Sequence, residues 1–400
     1  MRNHKRRKRA GDGIVIAGGG LAGQRCVEGL RRAGYDGVIR VVCSEPHPPY
    51  DRPPLSKAAL VDPAVEEHLS FRALQWYDEH AVELLLAVGA TRLRPAERML
   101  ELSDGAQLGY RKLLICTGGR PRTLPLLSGY DNVAVLRTRD DARWLRHALR
   151  QHGRLAVIGA GFIGLEIAAT ARRLGVEVTI IEAAACPLEN VLGPELGGWL
   201  ARLHRAEGAD VRTATTVDRV QGGGTARRLS LSDGSVLEID HAVVGVGISP
   251  EVGWLADSGL DASGGVPVDV AGRTAIEHIF AAGDVAATFD AGRGRHVPGS
   301  HWEAAGRQGT RAARAMLGLH PGAAQLTSFW TDQYGLRIQY VGQRRPGDAL
   351  AVEGDLEARD FTATFSRAGR AVAALLVDRP QCLPAARLAI ERGSHDELHR

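Results

Sequence analysis

Ile14-Val15-Ile16-Ala17-Gly18-Gly19-Gly20-Leu21-Ala22-Gly23 and Leu155-Ala156-Val157-Ile158-Gly159-Ala160-Gly161-Phe162-Ile163-Gly164 follow one pattern. Each is a short apolar run that ends in Gly-x-Gly-x-x-Gly and leads into helix-forming sequence. What comes next also repeats. Gly34, Ile39-Arg40-Val41-Val42-Cys43 and the acid Glu45 follow the first loop, and Gly175, Val178-Thr179-Ile180-Ile181 and the acid Glu182 follow the second. The acids stand 27 and 23 residues beyond the first glycine of their loops, near the roughly 20 residues at which a strand–helix–strand unit brings an acid to a dinucleotide's ribose.

The chemistry needs these residue types. The first glycine permits the tight turn from strand to helix, the second lets backbone approach a pyrophosphate, and the third lets helix and strand pack closely. The pyrophosphate sits on the helix N-terminus, where unsatisfied N–H groups and the dipole favour negative charge. The acid accepts hydrogen bonds from ribose hydroxyls and repels a 2′-phosphate. Glu182 is followed by Ala183-Ala184-Ala185, with no arginine to receive such a phosphate, so the second site is read as selecting NAD over NADP.

The halves stay in step further on. Asp104-Gly105 and Asp233-Gly234 are hairpin signals, and apolar runs then end in Gly118–Pro121 and Gly247–Pro250; each pair is offset by 129 residues. Ile279-Phe280-Ala281-Ala282-Gly283-Asp284 closes the second repeat. Beyond it, Leu336–Gly342, Phe361–Phe365 and Val372–Val377 read as strands and Pro384–Arg392 as a helix, a small antiparallel sheet closed by one helix.

Composition narrows the class. The 400 residues, 44% apolar with 49 glycines, suit two or three domains rich in close backbone turns. The net charge is +4, much of it in the run Arg2, Lys5, Arg6, Arg7, Lys8, Arg9, read as a solvated disordered tail rather than a nucleic-acid contact. No secretory h-region follows it, and no run of about eighteen apolar residues exists to span a membrane. The five cysteines (Cys26, Cys43, Cys116, Cys186, Cys382) are scattered singly, so neither a disulfide framework nor a zinc site is supported. The chain reads as soluble and cytoplasmic, with no metal.

Several stretches carry a family resemblance: Tyr50-Asp51-Arg52-Pro53-Pro54-Leu55-Ser56-Lys57, Thr117-Gly118-Gly119-Arg120-Pro121, Gly161-Phe162-Ile163-Gly164-Leu165-Glu166, Ala281-Ala282-Gly283-Asp284 and Phe329-Trp330-Thr331-Asp332-Gln333-Tyr334-Gly335. With them the chain resembles, over essentially residues 12 to 400, the FAD-dependent NADH:ferredoxin reductases of oxygenase systems, of the putidaredoxin reductase and biphenyl dioxygenase reductase type. The resemblance implies an α/β fold with two Rossmann-like dinucleotide-binding domains in the glutathione-reductase-like arrangement plus a small α+β C-terminal domain. Residues 12–121 and 247–321 would form a discontinuous FAD-binding domain, 122–246 the NAD-binding domain and 322–400 the C-terminal domain, after a tail of residues 1–11.

By the same resemblance Gly18, Gly20, Leu21, Ala22, Gly23, Glu45, Arg52, Lys57, Thr117, Gly118, Gly283, Asp284 and Trp302 would bind FAD. Gly159, Gly161, Phe162, Ile163, Gly164, Glu182 and Gly247 would bind NADH. Lys57, Glu166 and Trp330 are the candidate catalytic residues. Lys57 would favour the anionic reduced flavin, Glu166 would lie near the nicotinamide and pair with Lys57, and Trp330 would lie beside the flavin. The expected partner is an iron–sulfur ferredoxin that serves a haem-thiolate monooxygenase or a Rieske oxygenase.

Relatives that pass electrons to a redox cysteine need it after the FAD-ribose acid. Here that stretch is Pro53-Pro54-Leu55-Ser56-Lys57, and Cys43 precedes Glu45. An external acceptor follows. The alternative is direct reduction of a small molecule, as in NADH oxidases or quinone reductases. A third reading is a non-catalytic role like that of the redox-sensing mitochondrial apoptosis flavoproteins. Ser300-His301-Trp302-Glu303-Ala304-Ala305 departs from the family's usual Glu-x-Trp-x-Asn-Ala, which leaves acceptor identity and flavin tuning open. The helix from Glu303 to about Leu317 places Arg307, Arg311 and Arg314 on one face, which is either a solvated charged face or, near the flavin edge, a surface for an acidic ferredoxin.

Overall fold

The structure, a computed structural model, describes residues 13–290, 293–299, 301–322 and 326–395, with side chains to residue 392. The basic run Arg2–Arg9 and Ser300 lie outside the described residues. The chain divides into two compact units: Met1–Asp51, Leu69–Arg120 and Ser249–Gln325 form the first, and Arg52–His68, Pro121–Ile248 and Leu326–Arg400 the second. The excursion 52–68, placed with the FAD-binding domain by the sequence reading, thus groups with residues 121–248. So does the C-terminal region, read as a third domain.

In the first unit, strands Ile279–Ala281, Lys112–Ile115, Ile14–Ala17, Ile39–Val42 and Val82–Leu85 lie side by side in that order, all parallel. Ile14–Ala17 is buried at every position, as a parallel strand covered on both faces must be. Helix Leu21–Arg32 lies against helix Trp302–Met316 at a spacing that only small residues allow. A Cβ on Gly309 would stand 2.1 Å from the Ala22 carbonyl oxygen, and one on Gly29 would stand 2.9 Å from Ala313. Asp104-Gly105 turns the hairpin between Met99–Leu102 and Gln107–Gly109, with Gly105 at φ +83°.

The helix at 302 corrects the arginine reading. Arg307 is held 2.6 Å from Glu303. Arg311 is half-buried, its Nε has no hydrogen-bond partner, and burial pushes its guanidinium down. Of the three, Arg314 alone is exposed, and its Nε donates to the His320 carbonyl at 2.6 Å. Ala312, Ala313, Ala315 and Met316 are buried. This apolar stripe turns the helix so that Arg311 falls at the edge of the core, not on a solvated face.

The second unit repeats the parallel sheet, in the order Asp210–Arg212, Glu177–Ile181, Arg154–Ile158, His241–Val244, Val133–Ala134. Asp233-Gly234 turns the equivalent hairpin between Arg228–Leu231 and Val236–Glu238. The C-terminal sheet is antiparallel, in the order Ser328–Gln333, Leu336–Gly342, Arg370–Val377, Asp360–Arg367, Ala349–Asp355, with helix Leu383–His395 beyond it. Ala349–Asp355 escaped the sequence reading because it is mostly exposed and shows no clean alternation.

Ring and hydrogen-bond contacts join this sheet to the rest of the unit. Phe329 meets Phe162 edge-on at 4.5 Å between centroids, and Trp199 Nε1 donates to the Leu356 carbonyl at 3.1 Å. The excursion 52–68 is tied down at both ends. Arg52 donates to the Arg137 carbonyl at 2.5 Å, and the buried Glu66 carboxylate lies 2.7 Å from Arg143 and 2.6 Å from Arg146. Both arginines stand on helix Arg139–Leu149, which Thr138 and Asp141 close with a capping box.

His204, on helix Glu189–Ala206, is fully buried beneath the C-terminal sheet. Burial pushes its imidazole down to about 4 from an ordinary value of 6.5. A histidine kept neutral by the fold contributes stability above its unfolded pKa, and that stability is lost as pH falls from 6.5 towards 4, where the unfolded chain binds the proton first. The swing is about 3 kcal/mol at most. Thermal unfolding of wild type and His204→Gln between pH 7 and about pH 4 should show a flatter acid limb in the variant; superimposable limbs would contradict the assignment.

Candidate active site

The two glycine loops are built alike. Helix Leu21–Arg32 starts behind Gly20 and helix Phe162–Arg173 behind Gly161; neither start has a side-chain cap or an acid in its first turn. Their leading N–H groups are left to be satisfied by an anion. Gly18 and Gly159 have φ of +128° and +101°, where any side chain is strained. Substitution there is also blocked by the loop after the neighbouring strand: a Cβ would stand 2.1 Å from the Cys116 carbonyl oxygen in the first site and 2.6 Å from that of Gly245 in the second. A Cβ on Gly23 or Gly164 would meet its own loop's first glycine at 2.3 and 2.2 Å. By contrast, a Cβ on Gly20 would meet nothing within 4 Å and one on Gly161 nothing nearer than 3.7 Å. Space stands where backbone must approach phosphate, and contact stands where helix must approach strand. The residues fit two dinucleotides.

Glu45 follows strand Ile39–Val42 and accepts from Tyr50 Oη at 2.6 Å. Glu182 follows strand Glu177–Ile181 and is gripped by backbone: Ala160 N donates to Oε2 at 2.6 Å and Ala184 N to Oε1 at 2.8 Å. Its carboxylate lines a cavity of about 450 Å³ together with Gly159, Gly161, Asn190, Thr215 and Gly247. Each carboxylate oxygen keeps a lone pair for a ribose hydroxyl.

The remaining candidates divide between the units. In the first, Thr117 Oγ1 donates to the Glu251 carbonyl at 2.8 Å, Trp302 Nε1 donates to Asp51 Oδ1 at 2.6 Å, and Gly283 N donates to Gln308 at 2.8 Å. Leu21 and Ala22 are buried at the helix start, while Gly118 and Gly283 take left-handed backbone. Asp284 directly follows Gly283, and its negative charge faces the half-buried His301, whose imidazole burial pushes down. In the second unit lie Arg52, Lys57, Glu166, Trp330 and all the expected NAD residues. Trp330 carries the Arg337 guanidinium 5.4 Å from its ring centroid. Ile163 is exposed at the start of its helix.

Lys57 and Glu166 are together. Lys57 Nζ lies 2.7 Å from Glu166 Oε1, and the carboxylate is 6% exposed. It also accepts from Thr331 Oγ1 at 2.7 Å and from the Ser56 hydroxyl. The excursion is braced against the same helix by Thr170 Oγ1, which donates to the Ser56 carbonyl at 2.9 Å. Sequence reading named Lys57 and Glu166 but gave no role to Ser56 or Thr331. Both stand inside the quoted stretches, and no periodicity marked either hydroxyl as a partner of Glu166. No redox cysteine accompanies the pair. Cys43 is buried and its thiol is pushed up to about 12, while Cys26 and Cys116 are fully enclosed and raised further. Among the described residues no group of side chains could hold a metal ion.

Comparison with known proteins agrees with this arrangement. Residues 12–309 match the pyridine nucleotide-disulphide oxidoreductase family, and residues 328–400 match the reductase C-terminal domain. The chain belongs to the pyridine nucleotide-disulphide oxidoreductase family. It is 37% identical over 387 residues to the ferredoxin–NAD(+) reductase component of the anthranilate 1,2-dioxygenase system of Burkholderia cepacia, spanning 96% of this chain and 95% of that one. It is 34% identical over 378 residues to putidaredoxin reductase of Pseudomonas putida, spanning 93% and 90%. Among solved structures, the covalent putidaredoxin reductase–putidaredoxin complex matches with a TM-score of 0.91 and 34% identity, over 96% of this chain and 93% of that one.

The Glu182 geometry gives a direct test. With Glu182 read as the ribose acceptor, Glu182→Ala should raise KM for NADH about tenfold, as losing a hydrogen bond to a charged group does. Bound FAD should be unaffected. Steady-state kinetics with NADH and NADPH check this; a wild-type preference for NADPH would overturn the assignment.

Proposed function

We propose that this chain is an FAD-containing oxidoreductase that takes hydride from NADH and passes electrons singly to an iron–sulfur ferredoxin serving an oxygenase. One observation carries the reading: the chain has two dinucleotide loops, and no cysteine accompanies the Lys57–Glu166 pair to receive the electrons. The nearest equivalent of the disulfide-reductase cysteine region is Ser56-Lys57, committed to Glu166. When bound, FAD supplies a centre that takes electrons in pairs and releases them one at a time.

The chain's residues divide that work. In the proposed assignment the first loop, Gly18 to Gly23 with Glu45, anchors FAD; Arg52, Thr117, Gly118, Gly283, Asp284 and Trp302 line the same cofactor. The second loop, Gly159 to Gly164 with Phe162, Ile163, Glu182 and Gly247, anchors NADH. Lys57 supplies a positive charge toward the isoalloxazine, Glu166 holds that charge in place, and Trp330 shields the ring from water. A buried ion pair is weak support for stability, because desolvation offsets the attraction. Its presence here is accounted for by catalysis. No described helix is long and apolar enough to cross a membrane, which accords with the proposed cytoplasmic location. The terminal oxygenase is of the haem-thiolate or Rieske class.

Reduction of cytochrome c by NADH separates this function from direct small-molecule reduction. The FAD-loaded protein should reduce cytochrome c rapidly only after a [2Fe–2S] ferredoxin is added. Equal rates without ferredoxin would assign the chain to the oxidase or quinone-reductase class.

A further inference from the structure

The Glu166 carboxylate is the end of a longer buried chain. Thr331 and Gln333 lie two residues apart on strand Ser328–Gln333 and so share one face. Gln333 Nε2 is 3.1 Å from Thr331 Oγ1, and Gln333 Oε1 is 2.9 Å from His204 Nε2. Tyr334 Oη is 2.8 Å from His204 Nδ1. Thr331, Gln333 and His204 are each at most 2% exposed.

Donor counting fixes the direction of every link. An ionised carboxylate only accepts, so Thr331 donates its single proton to Glu166. Thr331 Oγ1 must therefore accept from the Gln333 amide nitrogen. That turns the Gln333 carbonyl oxygen towards His204, which must carry its proton on Nε2. Nδ1 is then left to accept from Tyr334. Reversing any link would leave Glu166 or His204 facing a group of the same kind, at the cost of an unsatisfied buried polar atom. Burial favours the neutral ring of His204 and outweighs the opposing pull of Glu207, which caps the end of the same helix and is engaged 2.7 Å away by Arg359.

We propose that His204 and Gln333 are positioning residues for hydride transfer, acting through Thr331 to lock the Glu166 carboxylate and hence the Lys57 ammonium. The proposal rests on the assignment of Lys57 and Glu166 to the reaction. Neither His204 nor Gln333 touches a reacting atom; their effect is to leave the Thr331 hydroxyl one orientation. Without the Gln333 donor the Thr331 hydroxyl is seated only by the carboxylate it serves, its grip on Glu166 loosens, and small losses of orientation at a reacting centre cost large factors in rate.

The test uses FAD-loaded protein and stopped-flow reduction by NADH. Gln333→Leu and His204→Leu should each slow flavin reduction roughly tenfold without changing KM for NADH. His204→Gln, whose amide can donate from the position of Nε2, should recover most of the rate. A second readout does not depend on turnover: nitrogen-15 NMR should find His204 as the Nε2–H tautomer in wild type and as a mixture in Thr331→Val, where the chain is cut from Glu166. A wild-type rate in Gln333→Leu, or an unchanged tautomer in Thr331→Val, would overturn the proposal. Lys57→Met in the same experiment distinguishes the two failures. If it is slow while Gln333→Leu is not, the pair acts without the chain; if it reacts at the wild-type rate, the assignment of the pair itself fails.

Discussion

A charged lysine–glutamate pair buried beside the NAD helix is the constraint around which the second unit is arranged. Glu166 is on the helix that starts behind Gly161, so its position is set by the Gly159–Gly164 turn. An ionised carboxylate there requires a cation and several donors. These come from two distant parts of the chain: Ser56 and Lys57 from the excursion 52–68, and Thr331 from the C-terminal sheet. Each has its own anchor, the excursion through Glu66 and the arginines of helix Arg139–Leu149, the sheet through Phe329 on Phe162. This explains why both group with residues 121–248.

The duplicated architecture supplies the two nucleotide sites, and the departures from duplication separate their tasks. Both loops share glycine placement, uncapped helix starts and a following acid. The acids are held differently. Glu45 leans on a tyrosine hydroxyl, whereas Glu182 is gripped by backbone N–H groups of its own loop and of Ala184. Glu182 lines the cavity at its loop.

Much of the fold was legible in the sequence because it is local. Ile14–Ala17 and Leu155–Ile158 are apolar runs ended by glycine, and the Asp-Gly turns mark hairpins whatever surrounds them. The strand Leu336–Gly342 was read to its end residues. What escaped depends on contacts between distant segments. Arg311 is spaced like a surface residue, yet the buried alanine stripe on its helix turns it inward. Thr331, Gln333 and His204 are unremarkable in sequence, because a hydrogen-bonded chain has no periodicity. Residues 52–68 carry the marks of a loop and helix start but nothing that says which unit holds them. Lys57 and Glu166 were named from family likeness. The residues that hydrogen-bond to Glu166 reach it from distant segments.

The family to which the chain belongs is named for disulfide chemistry, and here a serine and a lysine stand beside a buried carboxylate. The proposed role of Lys57 is to present its charge to the flavin. The midpoint potential of bound FAD, measured in wild type and in Lys57→Met, is the direct test. Loss of the ammonium should lower the potential by about 30 mV or more, the equivalent of one modest charge interaction on a two-electron couple. An unchanged or raised potential, with FAD still fully bound, would contradict it.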